Sequence, residues 1–342
     1  MNVQKKIFKR TLSLLLSFML VFTALFSTTS FANSSLNSAT TQKTMATSVK
    51  SGNYIYCCSG TGVYKVNIKT KKKTRLYKTK SPLISWVSDV CVYKGYVYFI
   101  AGTSGLDDCV TSIFRIKTNG THLKNLGTGC NVILYGNKIY YVKILGDYDY
   151  GGYYTKGIYK MNLNGSNKTC IKSSSSISQF KIYKSYIYYV YPAYSSHDSI
   201  YRISTSGQNN TKLTISTHND TSYSTDLCDV YRGYVYFTSN KHFFKYNIST
   251  KKLTNFRNST GKMIGIDNGY LYYFYSKHVY KLGLSSNRKY TVVSGITGAN
   301  SVSSGYLTYY SYFVHNYSSG YRYYLIKTNG TNKVYLGKSL IQ

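Results

Sequence analysis

An aromatic strand that recurs seven times, period-two alternation of apolar residues around each copy, and no helical period anywhere predict an all-β fold of repeated units. "VYKGYVYF" at Val92–Phe99 returns as "VYRGYVYF" at Val230–Phe237, and "IKTNGT" at Ile116–Thr121 returns at Ile326–Thr331. The second residues of the aromatic copies fall at 54, 96, 138, 186, 234, 270 and 306, a mean spacing of 42. That spacing suits four short strands, the size of one propeller blade, and helical solenoids have the wrong local period. The expectation is a β-propeller of four-stranded antiparallel blades. It has seven blades, or six if the first and last copies share one.

Within each unit the strands read in order. Strand a alternates apolar residues, as in Val90/Val92, Val132/Leu134, Phe180/Ile182, Cys228/Val230 and Ile264/Ile266. A tight Gly- or Asn-containing turn leads into strand b, the aromatic run: "NYIYC", "GYVYF", "NKIYY", "SYIYY", "GYVYF", "GYLYY", "GYLTY". Strand c is the most regular, from "VYKVN" at Val63 through "IFRIK" at Ile113 and "IYKMN" at Ile158 to "VYKLG" at Val279. It carries a recurrent cation, at Lys65, Arg115, Lys160, Arg202, Lys245 and Lys281, which blade packing with a buried stem explains as well as a polyanion-binding ring does. Asn119–Gly120, Asn164–Gly165 and Asn329–Gly330 then mark the turn into strand d.

The N-terminus reads as a secretory signal. Lys5, Lys6, Lys9 and Arg10 precede the apolar Thr11–Phe26, and "SFA" places cleavage after Ala32. Residues 33–47 are polar and read as a disordered leader. Residues 48–342 form one propeller domain, with no later segment apolar enough to span a bilayer. Secretion, or association with the cell wall, follows.

The chain carries 43 Lys+Arg against 10 Asp+Glu, a net charge of +33, four units of which belong to the signal. Every acid is Asp. Such a charge favours anionic surfaces such as wall polymers, and export argues against nucleic acid as a partner. The seven cysteines are irregularly spaced, with no CxxC pair, so neither a disulfide framework nor a zinc site is expected.

"IYKMNLNGSN" (Ile158–Asn167) and "IFRIKTNGT" (Ile113–Thr121) resemble the strand-turn of YWTD propellers of lipoprotein-receptor type. Over residues 48–342 the chain is more similar to a bacterial family of exported propellers, domain of unknown function 5050. The resemblance implies the fold and no activity. It departs from true YWTD repeats in having a single Trp, Trp86, and no Tyr-Trp-Thr-Asp run.

Propeller topology puts the a–b and c–d turns on one face, here rich in Lys, and the b–c and d–a connections on the other. The long b–c loops hold Asp107, Asp108, Asp147, Asp149 and Asp198 among Tyr148, Tyr150, Tyr153, Tyr154, Tyr191 and Tyr194. Tyr faces stack on sugar rings, and Asp accepts hydrogen bonds from hydroxyls, so these eleven residues are the candidate ligand site. No G-x-S-x-G, H-E-x-x-H or phosphate-binding glycine loop occurs, and no cofactor, metal or catalytic residue is expected. The expected role is non-catalytic binding of an extracellular carbohydrate or protein. The alternatives are a polysaccharide hydrolase or lyase, and a component that docks another secreted protein.

Overall fold

The computed structural model describes residues 43–46, 48–59, 61–79, 84–103, 111–145, 154–177, 179–191, 198–213, 225–239, 242–257, 261–315 and 318–341. Their strands form seven antiparallel sheets from residues 48–78, 84–128, 130–173, 180–212, 225–257, 262–294 and 298–341. The chain is therefore a seven-bladed β-propeller. The four strands of each blade come from one continuous segment, with Lys43–Thr44 added at the inner edge of blade three, so the six-bladed alternative, in which the two ends share a sheet, does not hold.

Seam chemistry explains how the ring closes without a shared strand. Leu325, Val334 and Leu336 of blade seven pack with Ile55, Cys57 and Val66 of blade one. Buried Ser48 Oγ lies 2.7 Å from Thr308 Oγ1 across the same seam, and Lys73 Nζ donates to the Leu336 carbonyl at 2.6 Å.

The a–b connections of blades two to seven are two-residue turns with both central residues at positive φ, as in Lys94–Gly95 (47° and 76°) and Arg232–Gly233 (48° and 83°). These are type I′ turns, whose twist matches the strands they join. The c–d hairpins differ from the two-residue turn that "NG" suggests. Strands Thr111–Lys117 and Lys124–Thr128 are joined by a longer loop in which Gly120, and not Asn119, takes positive φ (89°). The Asn119 Oδ1 instead accepts the Thr121 N–H at 3.1 Å and its hydroxyl at 2.8 Å, and Asn164 and Asn329 do the same for Ser166 and Thr331. Asparagine serves here as an Asx-turn acceptor.

The interior is largely aromatic. Tyr98, Tyr188, Tyr189, Tyr272, Tyr273, Phe99, Phe180 and Phe237 are fully buried in strands a and b. The strand-c cations join consecutive blades. Lys65 Nζ reaches the Thr118 carbonyl, Arg115 Nη1 that of Leu163, Lys160 Nζ that of Thr205 and Lys281 Nζ that of Thr328, each at 3.1 Å. The charged heads of Lys65, Arg115, Arg202, Lys245 and Lys281 lie over the first strand-b Tyr of their own blade, 4.6 Å for Arg115 on Tyr96 and 5.1 Å for Lys65 on Tyr54, whereas blade three has Lys138 at that position. Blade packing, rather than a polyanion-binding ring, accounts for this recurrence.

Of the segment 33–47 expected as a disordered leader, residues 33–42 and 47 lie outside the described residues, and 43–46 are paired. Lys43 and Thr44 pair antiparallel with Leu134 and Ile133 of the innermost strand of blade three. Ala46 then exchanges both backbone bonds with Val90 of blade two, at 3.0 and 2.7 Å. The segment lacks strand alternation of its own, and its order comes from the open edge that blade three turns towards the axis.

Candidate functional site

Seven residues, one per blade, occupy the same register at the axis: Val49, Cys91, Ile133, Lys181, Asp229, Gly265 and Ser301. Each pairs with the equivalent position of strand b, which is Tyr56, Tyr98, Tyr140, Tyr188, Tyr236, Tyr272 and Thr308. Six of the seven line a cavity of about 510 Å³ in the centre of the ring. Ile133 is the exception, because the Lys43–Thr44 strap covers its strand. Met45 and Ala46 form one wall of the cavity, and residues 264–267 and 300–304 of blades six and seven form the opposite one. The volume falls within the range of small-ligand sites.

The polar groups here were not singled out from the sequence. Asp229 and Asp267 are two of the ten acids in the protein, and both line the cavity with Lys181. Burial raises the Asp229 carboxyl above its ordinary value, an effect that Lys181 and the Val230 N–H oppose. Asp229 Oδ1 accepts that N–H at 2.8 Å. Burial likewise raises Asp267, against hydrogen bonds from Gly305, Ser304 and Asn268. Asp267 Oδ2 takes the Gly305 N–H of blade seven at 2.8 Å. Beside the axis, Cys228 is pushed up to about 12 by burial, with Asp229 adding to it, so the thiol stays protonated. One signal for this site was present in the sequence. Lys181 and Asp229 stand five residues before the strand-b anchors at 186 and 234, where other blades carry Val49, Cys91 or Ile133.

The turn face is basic around the mouth of this channel. Lys94, Lys184 and Arg232 occupy left-handed turn positions and lie over the preceding Tyr93, Tyr183 and Tyr231 rings at 5.7, 5.6 and 5.3 Å. Tyr93 Oη donates to Asn137 Oδ1 of blade three at 2.9 Å, and Tyr135 Oη accepts the Ser185 N–H of blade four at 2.9 Å. Exposed Lys71, Lys72, Lys251, Lys252 and Arg288 add charge at the c–d turns. Asp267 is the single acid at these turns among the described residues.

Asp107, Asp108, Asp147, Tyr148, Asp149, Tyr150, Tyr153 and Tyr194 lie outside the described residues. Tyr154 opens the strand Tyr154–Asn162 and pairs with Leu145. Tyr191 ends the strand Tyr186–Tyr191, exposed, with its ring edge-on to Tyr201 at 6.1 Å. Asp198 does structural duty: its Oδ2 accepts the Thr225 N–H at 2.7 Å and ties blade four to blade five. Among the described residues none of the six cysteines is in a disulfide, and no group of three His, Cys or Asp could hold a metal.

No family model matches the chain, and no curated protein matches it significantly. Solved structures do. The propeller domain of the Trilobed protease from Pyrococcus furiosus, described as having an open velcro topology, matches with TM-score 0.55 and 10% identity over 86% of this chain and 98% of that one. A prolyl endopeptidase matches with TM-score 0.59 and 12% identity over 88% of this chain and 50% of its own. A puromycin hydrolase matches with TM-score 0.60 and 8% identity over 87% and 54%. The chain thus spans about half the length of the first solved proteins it matches. At these identities the likeness is one of fold: a β-propeller.

Proposed function

We propose that this protein is an exported, non-catalytic propeller that binds a cell-envelope carbohydrate or protein, with its basic turn face held against anionic wall polymer. The observation that carries the reading is the segregation of charge. The a–b and c–d turns display Lys and Arg in nearly every blade, whereas the described acids other than Asp267 lie half-buried within the inner strands or on the b–c and d–a side. A face of one sign raises the local concentration of a polyanion and speeds its capture. The tall b–c loops, with Asp107, Asp108, Asp147, Asp149 and their tyrosines, then supply selectivity on the opposite side. The sequence resemblance to exported propellers of domain of unknown function 5050 supports the same location.

Binding to purified wall fractions across a salt series tests this. Turn-face charge predicts binding that weakens steeply as the Debye length falls from ~30 Å at 0.01 M to ~8 Å at physiological salt. A residual, salt-resistant component should disappear when Asp107, Asp108, Asp147 and Asp149 are neutralised. Binding unchanged by both salt and the loop substitutions overturns the reading.

A further inference from the structure

We propose that the central channel takes an extended peptide segment of a partner polypeptide, paired onto the open inner edge of blade six or seven as the chain's own residues 43–46 are paired onto blades three and two. Three observations converge on this.

The first is that the channel already holds a strand. Lys43 and Thr44 add a fifth strand to blade three, and Ala46 bonds Val90 in both directions. The width at the axis therefore suits an extended polypeptide, and the inner edge of a blade is competent to pair with one. Strand addition to a free edge is a general mode of peptide recognition, with main-chain bonds supplying affinity.

The second is that the rest of the space is lined by edge. Strands Lys262–Asp267 and Gly298–Ser303 each have a sheet neighbour on one side only. Consecutive residues, 264–267 and 300–304, face the cavity of about 510 Å³. Their side chains are small where an incoming strand would cross them, at Gly265, Ser301 and Ser303.

The third is that polar groups across the cavity are unspent. The Lys181 ammonium, a donor only, faces Asp229 as a charge and has no hydrogen-bond acceptor among the described residues, and Asp229 takes the Val230 N–H through Oδ1. One donor and one acceptor side by side match the C=O and N–H of a peptide group. No aromatic side chain lines the cavity, which favours a peptide over a sugar ring.

The test selects phage-displayed random heptapeptides on the immobilised full chain, then synthesises the recovered sequences with a photoreactive benzoylphenylalanine. The expected result is crosslinking to residues 262–267 or 298–304 of the wild-type protein. Affinity should also fall at least tenfold in Ser301→Trp, which fills the channel, and in Lys181→Met. The crosslink map needs no variant, so a misfolded Ser301→Trp does not blunt the test. Recovery of no binding peptide, or crosslinks confined to the outer strands and turns, overturns the proposal.

Discussion

The Arg115 guanidinium donates to the Leu163 carbonyl oxygen, 3.1 Å away across the seam between blades two and three. The same reach recurs from Lys65 to Thr118, Lys160 to Thr205 and Lys281 to Thr328. In each case the accepting residue lies in a c–d turn, and the Thr118, Thr205 and Thr328 N–H groups bond the a–b turn of their own blade. One residue thus ties two turns and two blades together. A hydrogen bond from a charged donor is worth about 1.5–3 kcal/mol net. Arg115→Met should lower stability by roughly that amount, read as a shift of the urea midpoint. Arg115→Lys should cost under about 1 kcal/mol, because it keeps a donor and removes the buried Nε that has no partner.

The closing seam follows a different rule. Blade seven carries Leu325 at the position of the strand-c cation and Thr308 at that of the buried strand-b tyrosine. Leu325 is 2% exposed and packs against Ile55, Cys57 and Val66. Leu325→Ala should cost about 2–5 kcal/mol, as buried leucine truncations do. Leu325→Lys, which restores the repeat residue, should be at least as damaging, since it buries an unpaired charge in an apolar cluster. Denaturant unfolding of the two variants checks this, and a Lys variant as stable as wild type would refute it.

Asp229 makes stability depend on pH with a definite sign. Its folded carboxyl is raised above 3.8, mainly by burial. Between the unfolded and the raised value the native state binds more protons, so this group's contribution to stability falls as pH rises through that window. Asp229→Asn should therefore raise the melting temperature at pH 7, and the advantage should vanish below about pH 3.8. Melting scans of both proteins from pH 3 to 8 measure the difference directly. A variant less stable than wild type at pH 7 would show that Lys181 outweighs burial.

The strap should protect a thiol. Cys91 is 1% exposed, and Met45 packs against its cluster. Deleting residues 33–46 should leave seven blades folded, with an unchanged circular dichroism spectrum, and should speed reaction of Cys91 with an aromatic disulfide reagent by tenfold or more. Wild-type kinetics in the deletion variant would mean that the inner strands alone shield it.

The sequence by itself determined the repeat and the four strands of each blade. Alternation and turn chemistry are local properties, and seven copies of "GYVYF"-like strands state them seven times. It also exposed the strand-c cations, although as a pattern without a partner. Tertiary structure decided what those cations touch, because Leu163 stands 48 residues beyond Arg115 and only stacking of blades brings the two together. It decided that the ends close side by side without sharing a sheet, and that a polar segment without strand alternation becomes a strand. The axial site was hidden for the same reason. Lys181 and Asp229 lie 48 residues apart in the chain, in strands that read as ordinary core, and closure of the ring turns that one register position of every blade towards a common axis. Period-two patterning reports which face of a strand is buried, whereas convergence on an axis is a property of the closed ring.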